Sequence, residues 1–331
     1  MAAELPLSVV VPLFNEEASL EPLVDQLLTV LRPLGQEFEL VLVDDGSRDQ
    51  TAALLTTLSG RVPELVAVLL RRNYGQTAAM AAGFDSSRGA TIVTLDGDLQ
   101  NDPADIPLLL ERLQQGYDLV SGWRHQRQDA ALSRLLPSLL ANALIGRVTG
   151  VRLHDYGCSL KVFRASRLRK IRLYGDMHRF IPAWMATVTT PRRIAEEVVA
   201  HHPRRAGVSK YGISRTFVVV LDLLAVYFFL RFRSKPGHFF GLIGLALGGV
   251  GATILAYLAA VKILFDESIG TRPLLFAGFF MCIAALQMLS TGVLAELLTR
   301  IYHSDTNPSY VAEDPAPLAD GDGWQPPAPP A

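Results

Sequence analysis

Four short hydrophobic runs, each closed by polar residues, set the rhythm of the first hundred residues: Leu7–Val11, Phe38–Val43, Leu65–Leu70 and Thr91–Leu95. Runs of this length, rich in β-branched side chains, predict buried strands. Between them, Ala18–Leu31 and Gln50–Leu58 follow a helical pattern, and Thr77–Phe84 is a segment of small residues. Such alternation predicts βαβ units and a parallel sheet. The polar closures are Asn15-Glu16, Asp44-Asp45, Arg72-Asn73 and Asp96-Gly97-Asp98. In open α/β sheets ligands bind outside the carboxyl ends of the strands, so all four closures converge on one crevice.

The pattern changes near residue 215. Phe239–Phe265 carries no charge before Lys262, and Leu274–Leu294 is equally apolar. At about 1.5 Å per residue, each is long enough to cross a hydrocarbon core of about 30 Å. The connecting loop, Asp266–Pro273, is too short for a folded domain. Arg231, Arg233 and Lys235 precede the first span and Arg300 follows the second, whereas the loop sets Arg272 against Asp266 and Glu267. The positive-inside rule then puts both termini, and the sheet domain, in the cytoplasm. A hairpin buried in a soluble protein is the alternative. Phe217–Phe232 is apolar but short and interrupted by Asp222, which fits an in-plane interfacial helix better than a third span. Gly237, Gly241, Gly244 and Gly248 give a GxxxG-type spacing that permits close helix approach, open to self-association or to simple tolerance of glycine. The expected organisation is a catalytic domain over 1–214, a juxtamembrane amphipathic helix over 215–236, a transmembrane hairpin over 237–302 and a disordered Pro-rich tail over 303–331.

Composition agrees with a membrane portion: of 331 residues, 50% are hydrophobic and 19% charged, and the mean hydropathy is +0.26. A net charge of −1 gives no ground for nucleic-acid binding. The two cysteines, Cys158 and Cys282, make neither a disulfide framework nor a zinc set, and Cys158 reads as a packed residue rather than a nucleophile. The opening MAAELPLSVVVPLFNEE lacks a basic n-region and reads as a first strand, not a signal peptide.

The chemistry centres on TLDGDLQ, residues 94–100. Residues two apart at a strand end project to one side, so Asp96 and Asp98 point together into the crevice, with Gly97 adding nothing between them. Two carboxylates and the Gln100 amide oxygen form a hard-oxygen set suited to Mg²⁺ or Mn²⁺. In VDDGSRDQT, residues 43–51, Asp44 and Asp45 can accept from a base or ribose, while Ser47 or Asp49 can cap the following helix. Arg204, Arg205 and Lys210 precede the membrane segment, at the height where a lipid phosphate lies. His201 and His202 lack metal-ligand company. No GxGxxG follows the first strand, which disfavours a dinucleotide oxidoreductase.

SVVVPLFNEE, LVDDGSRDQT, RRNYGQTAAMAAGF and TLDGDLQNDP, in that order, resemble the inverting GT-A glycosyltransferases of the dolichol-phosphate mannosyltransferase group. DYGCSLKVFRA, HRFIP and RAGVSKY, followed by two spans, resemble its bacterial polyprenyl-phosphate branch, most of all the undecaprenyl-phosphate aminoarabinose type. The likeness covers roughly residues 7–302, and no QxxRW motif of processive synthases is present.

The resemblance implies a GT-A domain that moves a sugar from a nucleotide donor, UDP-linked by preference, onto polyprenyl phosphate at the bacterial inner membrane. It implies that Pro12, Phe14, Glu16, Asp45 and Gln76 surround the nucleotide, and that Asp96 lies near ribose and diphosphate. It implies further that Asp98 and Gln100, beside Asp96, hold the metal, that Asp155 is the catalytic carboxylate, and that Arg179, Arg204 and Lys210 meet the acceptor phosphate. A homo-oligomer, a tetramer in related enzymes, belongs to the same implication. Around Pro203–Val208 the chain departs from the aminoarabinose type, with Pro203, Arg205 and Val208 in place of acidic residues, which leaves the sugar open. Another lipid acceptor, or a non-catalytic scaffold with a degenerate sugar-binding domain, are the competing readings.

Overall fold

The computed structural model describes residues 5–125, 145–147, 150–173, 175, 177–203, 227, 228, 232 and 235–304. They divide into two compact units, one ending before Tyr227 and one beginning there.

The first unit is built on seven strands: β1 (Leu5–Leu13), β2 (Phe38–Asp44), β3 (Leu65–Leu69), β4 (Gly89–Thr94), β5 (Leu119–Trp123), β6 (Lys161–Arg164) and β7 (Ile194–Val198). Their order is β3-β2-β1-β4-β6-β5-β7. The pairs β3–β2, β2–β1, β1–β4 and β5–β7 are parallel, and β6 runs antiparallel to both its neighbours. The sheet is therefore mixed and mostly parallel. All four strands foreseen from the hydrophobic runs are present; the last three carry no comparable apolar run.

Alternation along β1 explains the two layers. Val9 and Val11 join Leu20, Leu23, Leu27 and Leu31 of α1 (Leu20–Leu31), with Leu109 and Leu113 of α4 (Ile106–Gln114), in one core. Val10 points to the opposite face, where α3 (Gln76–Ser86) crosses. A Cβ at Gly83 of α3 would lie 2.3 Å from Val10 Cγ1 and 3.2 Å from Val43 Cγ2, so the small residues of α3 exist to bring this helix close to the sheet. The remaining early helix, α2 (Thr51–Ser59), follows β2.

At the opposite edge from the polar closures, buried Glu39 ties three segments together. Its carboxylate accepts from Ser8 Oγ at 2.6 Å, from Arg88 N at 2.6 Å and from Arg88 Nε at 3.0 Å. Ser8 Oγ in turn accepts from Gly89 N at 2.8 Å, which sets the start of β4. Glu39→Ala strips several buried donors of their acceptor and should cost about 3 kcal/mol, read as a lowered urea midpoint of the detergent-solubilised protein. An unchanged midpoint would contradict this account of how β4 is placed.

In the second unit two helices, Pro236–Phe265 and Pro273–Ser304, form a hairpin. Both are long and apolar enough to cross a membrane, with mean hydropathies of 2.0 for Pro236–Phe265 and 1.9 for Pro273–Thr299. Their large apolar side chains face outward: Leu242, Leu245, Ile263, Phe280 and Leu286 are all exposed. That is the arrangement of a hairpin that meets hydrocarbon and not of one filling a soluble core. Its glycines make the seam. A Cβ at Gly251 would stand 2.8 Å from Cys282 Sγ and 2.9 Å from Gly278 O, and one at Gly244 would stand 3.0 Å from Ala285 O. Gly248 faces Ala285 and Gly237 faces Gly292. The glycine spacing thus serves packing within the hairpin, while Gly241 faces open space. The segment expected as a juxtamembrane helix and the C-terminal tail lie almost wholly outside the described residues; of the former, Phe228 and Phe232 stack near Phe239, at 5.2 and 5.0 Å between ring centroids.

Candidate active site

The antiparallel entry of β6 decides where the chemistry gathers. Thr94, at the end of β4, is the register partner of Lys161, at the start of β6, and Ser121 of β5 is its partner on the other side. The loop that leads into β6, residues 155–160, therefore meets the loops that leave β4 and β5, on the same edge where β1, β2 and β3 end.

On one side of this edge, Asn15 adopts a left-handed φ of 57° after β1. Its N–H donates to Ser47 Oγ at 2.9 Å, and its Oδ1 accepts from Arg48 N at 2.8 Å. Glu16 N donates to Thr51 Oγ1 at 2.9 Å, and Gln50 N to Glu17 Oε2 at 3.0 Å. The Asn-Glu-Glu triplet is thus laced to the Gly-Ser-Arg-Asp-Gln-Thr turn. Ser47 and Asp49 both serve this lacing, Asp49 Oδ2 accepting from Glu17 N at 3.4 Å; Asp49, one residue before the N-cap Gln50, also accepts from Thr51 N at 3.0 Å and from Thr51 Oγ1 at 2.6 Å. The Glu16 carboxylate accepts from Ser19 Oγ at 2.7 Å, and Pro12, Phe14 and Glu16 are all half-buried on this side.

Asp45 is buried, and its two oxygens accept from Tyr74 N at 2.7 Å and Gly75 N at 2.9 Å. The carboxylate that sequence reading turned toward a ligand therefore also holds the loop before α3; a carboxylate has about four acceptor positions, so it can still take a ligand donor. Gly46 makes the approach possible: its φ is +67°, and a Cβ there would fall 2.3 Å from the Arg72 carbonyl carbon. Asp44 accepts from Ser47 N at 3.2 Å through Oδ2, while Oδ1 is buried with no partner among the described residues. A buried acceptor left open at a strand end is what a ribose hydroxyl or a base N–H needs.

The loop fixed by Asp45 delivers Gln76, the first residue of α3, to the acidic turn, where its Nε2 donates to Asp96 Oδ1 at 2.7 Å. Beyond Thr94 the chain leaves the strand, so Asp96–Gln100 form a turn and not a strand end, with Leu99 at a φ of 60°. Gly97 is buried, and a Cβ there would meet Leu13 Cδ2 at 2.5 Å. Asp96 and Asp98 flank it, both half-buried. Asp98 Oδ1 accepts from Gln100 N at 3.2 Å, closing the turn.

Desolvation first, and then the charge of Asp98, push the Asp96 carboxyl above its ordinary range; Ser159, Lys161 and Arg124 pull the other way. Two neighbouring carboxylates, with Gln100 closing the same turn, are a hard-oxygen set that suits a divalent cation. No cluster of three or more His, Cys, Asp or Glu residues stands ready to enclose a metal among the described residues. A divalent cation takes about six oxygen ligands or more, so two carboxylates and an amide would leave positions for the oxygens of a diphosphate.

On the other side of the edge lies Asp155, buried. Arg124, one residue beyond β5, grips it with both ends, Nε to Oδ2 at 2.7 Å and Nη2 to Oδ1 at 3.0 Å. Gly157 N adds a bond to Oδ1 at 3.1 Å. Burial works against the Arg124 charge, but the bonds and charge of Asp155, and the nearby Cys158 and Asp96, more than restore it, leaving the guanidinium pKa raised.

Lys161 is buried beneath; desolvation lowers its pKa, and its Nζ donates to the Cys158 carbonyl. Ser159 binds both ends of the stretch that leaves β4, its carbonyl accepting from Thr94 Oγ1 at 2.9 Å and its Oγ from Asn101 Nδ2 at 2.7 Å. Cys158 is fully buried with its thiol pushed up to about 11 by desolvation, so it is a neutral packed group.

Of the basic residues expected at the acceptor, Arg179 follows His178, whose Nδ1 lies 2.7 Å from Thr77 Oγ1 near the start of α3. That bond brings the His-Arg-Phe stretch beside Gln76. Arg204 and Lys210 lie outside the described residues. Sequence reading missed Arg124, Ser159 and Lys161; for Arg124 the available signal was a polar residue directly after the short run Leu119–Trp123, which was not read as a strand.

Three comparisons bear on this site. The model of glycosyl transferase family 2 matches residues 8–172. Dodecaprenyl-phosphate galacturonate synthase of Rhizobium johnstonii is 51% identical over 93% of this chain and 92% of its own length. Undecaprenyl-phosphate 4-deoxy-4-formamido-L-arabinose transferase of Pseudomonas paraeruginosa is 41% identical over 89% of this chain and 85% of its own. Among solved structures, glucosyl-3-phosphoglycerate synthase of Mycobacterium tuberculosis, crystallised with Mn²⁺, uridine diphosphate and phosphoglyceric acid, matches with a TM-score of 0.53 and 21% identity, over 67% of this chain and 78% of that one. This last likeness concerns the fold.

Proposed function

Because this chain belongs to glycosyl transferase family 2, we propose that it transfers a sugar from a nucleotide donor to polyprenyl phosphate, with inversion at the anomeric carbon. The observation that carries this reading is the meeting of Gln76, the Asp96–Gln100 turn and the Asp155–Arg124 pair at one sheet edge, in a chain with two helices fit to cross a membrane. Pro12, Phe14, Glu16, Asp44, Asp45 and Gln76 form the nucleotide side. Asp98 and Gln100, beside Asp96, would hold Mg²⁺ or Mn²⁺, which when bound stabilises charge on the departing diphosphate. Gln76 keeps Asp96 turned toward that place.

The acceptor needs little help in losing a proton. A phosphate monoester has its second pKa near ~6, so its attacking oxygen is largely anionic at neutral pH. Asp155, already gripped by Arg124 through both oxygens, is accordingly a positioning and electrostatic group that fixes a positive charge beside the reaction, and not a proton acceptor. Arg179, with Arg204 and Lys210, supplies charge for the lipid phosphate. The hairpin spans the membrane with both termini in the cytoplasm, as its flanking cations favour.

The donor is UDP-linked, and the name of the relative at 51% identity makes UDP-galacturonate the first to test. A panel of UDP-, GDP- and dTDP-sugars offered to undecaprenyl phosphate, diacylglycerol and ceramide decides the matter. Nucleotide release that requires undecaprenyl phosphate is the expected result; release equal with the uncharged lipid would overturn the acceptor, and none with any pair would overturn catalysis.

A further inference from the structure

The Asp155–Arg124 pair is held from behind by a group that stands on a different strand. Glu196 lies in β7, at the edge of the sheet, opposite Ser121 of β5. Its side chain is 1% exposed. Its Oε1 accepts from Asp155 N at 2.8 Å, and its Oε2 accepts from His154 N at 2.7 Å and lies 2.9 Å from His154 Nδ1. The His154 ring is stacked on Trp123, with centroids 4.2 Å apart and planes 16° from parallel. Two consecutive backbone N–H groups of the Asp155 loop therefore end on one carboxylate.

An ionised carboxylate accepts at both oxygens and donates at neither, so glutamate fits this pair of donors and glutamine does not. A strand in this place has no need of a buried charge for its own sake, since an apolar side chain avoids the desolvation cost. Arg124 follows β5 directly, and β5 is the strand beside Glu196. Both halves of the ion pair are thereby referred to the same two strands, Arg124 through its own backbone and Asp155 through Glu196.

We propose that Glu196 is a positioning residue for sugar transfer, acting through the backbone of His154 and Asp155 to hold the Asp155–Arg124 pair in register with the acidic turn. The inference rests on the reading of Asp155 as part of the transfer site. A displacement on the order of 1 Å in such a group costs on the order of 10²-fold in rate.

The test is steady-state kinetics of Glu196→Gln, Asp155→Asn and the double variant, with undecaprenyl phosphate and the donor that the panel selects. Glu196→Gln should lower kcat on the order of 10²-fold while KM for donor and lipid stay within about threefold. In the Asp155→Asn background the same change should add less than about threefold, because both act on one pair. His154→Phe, which keeps the stack on Trp123 and both backbone bonds, should cost less than about threefold. If Glu196→Gln does not fold, Glu196→Asp, whose shorter arm reaches only one of the two N–H groups, carries the test: a lowered kcat at constant KM supports the proposal and an unchanged kcat ends it. A full effect of Glu196→Gln on top of Asp155→Asn overturns it too. Unaltered turnover in Asp155→Asn sinks the site reading itself, whereas an impaired Asp155→Asn beside an intact Glu196→Gln sinks this inference alone.

Discussion

Asp98→Ala should lower product formation by about 10⁴-fold, equivalent to about 5 kcal/mol of transition-state stabilisation, and should remove the response to Mg²⁺ or Mn²⁺ together with activity. Its two contributions can be separated. The Asp98 carboxylate closes the turn by accepting from Gln100 N, and its charge is the second-largest influence raising the Asp96 carboxyl. Asp98→Asn keeps an oxygen for the turn and removes the charge, so if the role is to hold a cation it should be nearly as damaged as the alanine variant. If the role were only to shape the turn, it would be nearly wild type. Chelation of divalent ions should bring the wild type down to the level of the variants, and full turnover by wild type in chelator would refute the metal assignment.

Asp155→Asn should lower kcat by about 10³-fold with donor KM within about threefold. The substitution leaves the half-buried Arg124 without its charged partner, whose bonds and charge offset the desolvation of the guanidinium. A shifted Arg124 then no longer places its charge where the reaction needs it. The pH profile distinguishes this account from general-base catalysis. If the lipid phosphate supplies its own anionic oxygen, activity rises with pH through ~6 in both wild type and Asp155→Asn, since the limb belongs to the substrate. Disappearance of that limb in the variant would make Asp155 the base after all.

The two halves of the sheet were not equally legible in the sequence. Strands β1, β2 and β4 lie between covered faces, so apolar residues dominate their central stretches, Val9–Val11, Leu40–Val43 and Ile92–Val93, and β3 at the edge still reads Leu-Val-Ala-Val-Leu. Their polar closures marked the sheet edge where Gln76 and the Asp96–Gln100 turn meet. Strands β5, β6 and β7 read Leu-Val-Ser-Gly-Trp, Lys-Val-Phe-Arg and Ile-Ala-Glu-Glu-Val. Buried Ser121, Lys161 and Glu196 interrupt the periodicity that identifies a strand. Glu196 accepts from the Asp155 backbone and Lys161 donates to the Cys158 carbonyl, so polar side chains that fix the loop before β6 also obscured the strands that carry them. Asp155 was reached through resemblance to a family motif and not through spacing, because only the antiparallel entry of β6 brings it to the acidic turn. Asp45 was correctly placed at a strand end, but its grip on Tyr74 and Gly75 depends on a tertiary contact across a turn. The glycines of the hairpin are the same lesson in reverse: GxxxG spacing forecasts close approach between helices, yet the partner is the second helix of the same hairpin.

Most direct for the central claim is the mass of undecaprenyl phosphate recovered after incubation with the purified protein, a nucleotide sugar and Mn²⁺. The lipid should gain the mass of one sugar residue joined through its phosphate, with one nucleoside diphosphate released for each lipid converted and the anomeric configuration inverted. Lipid of unaltered mass with every donor, or nucleotide set free without any gain by the lipid, would contradict the account.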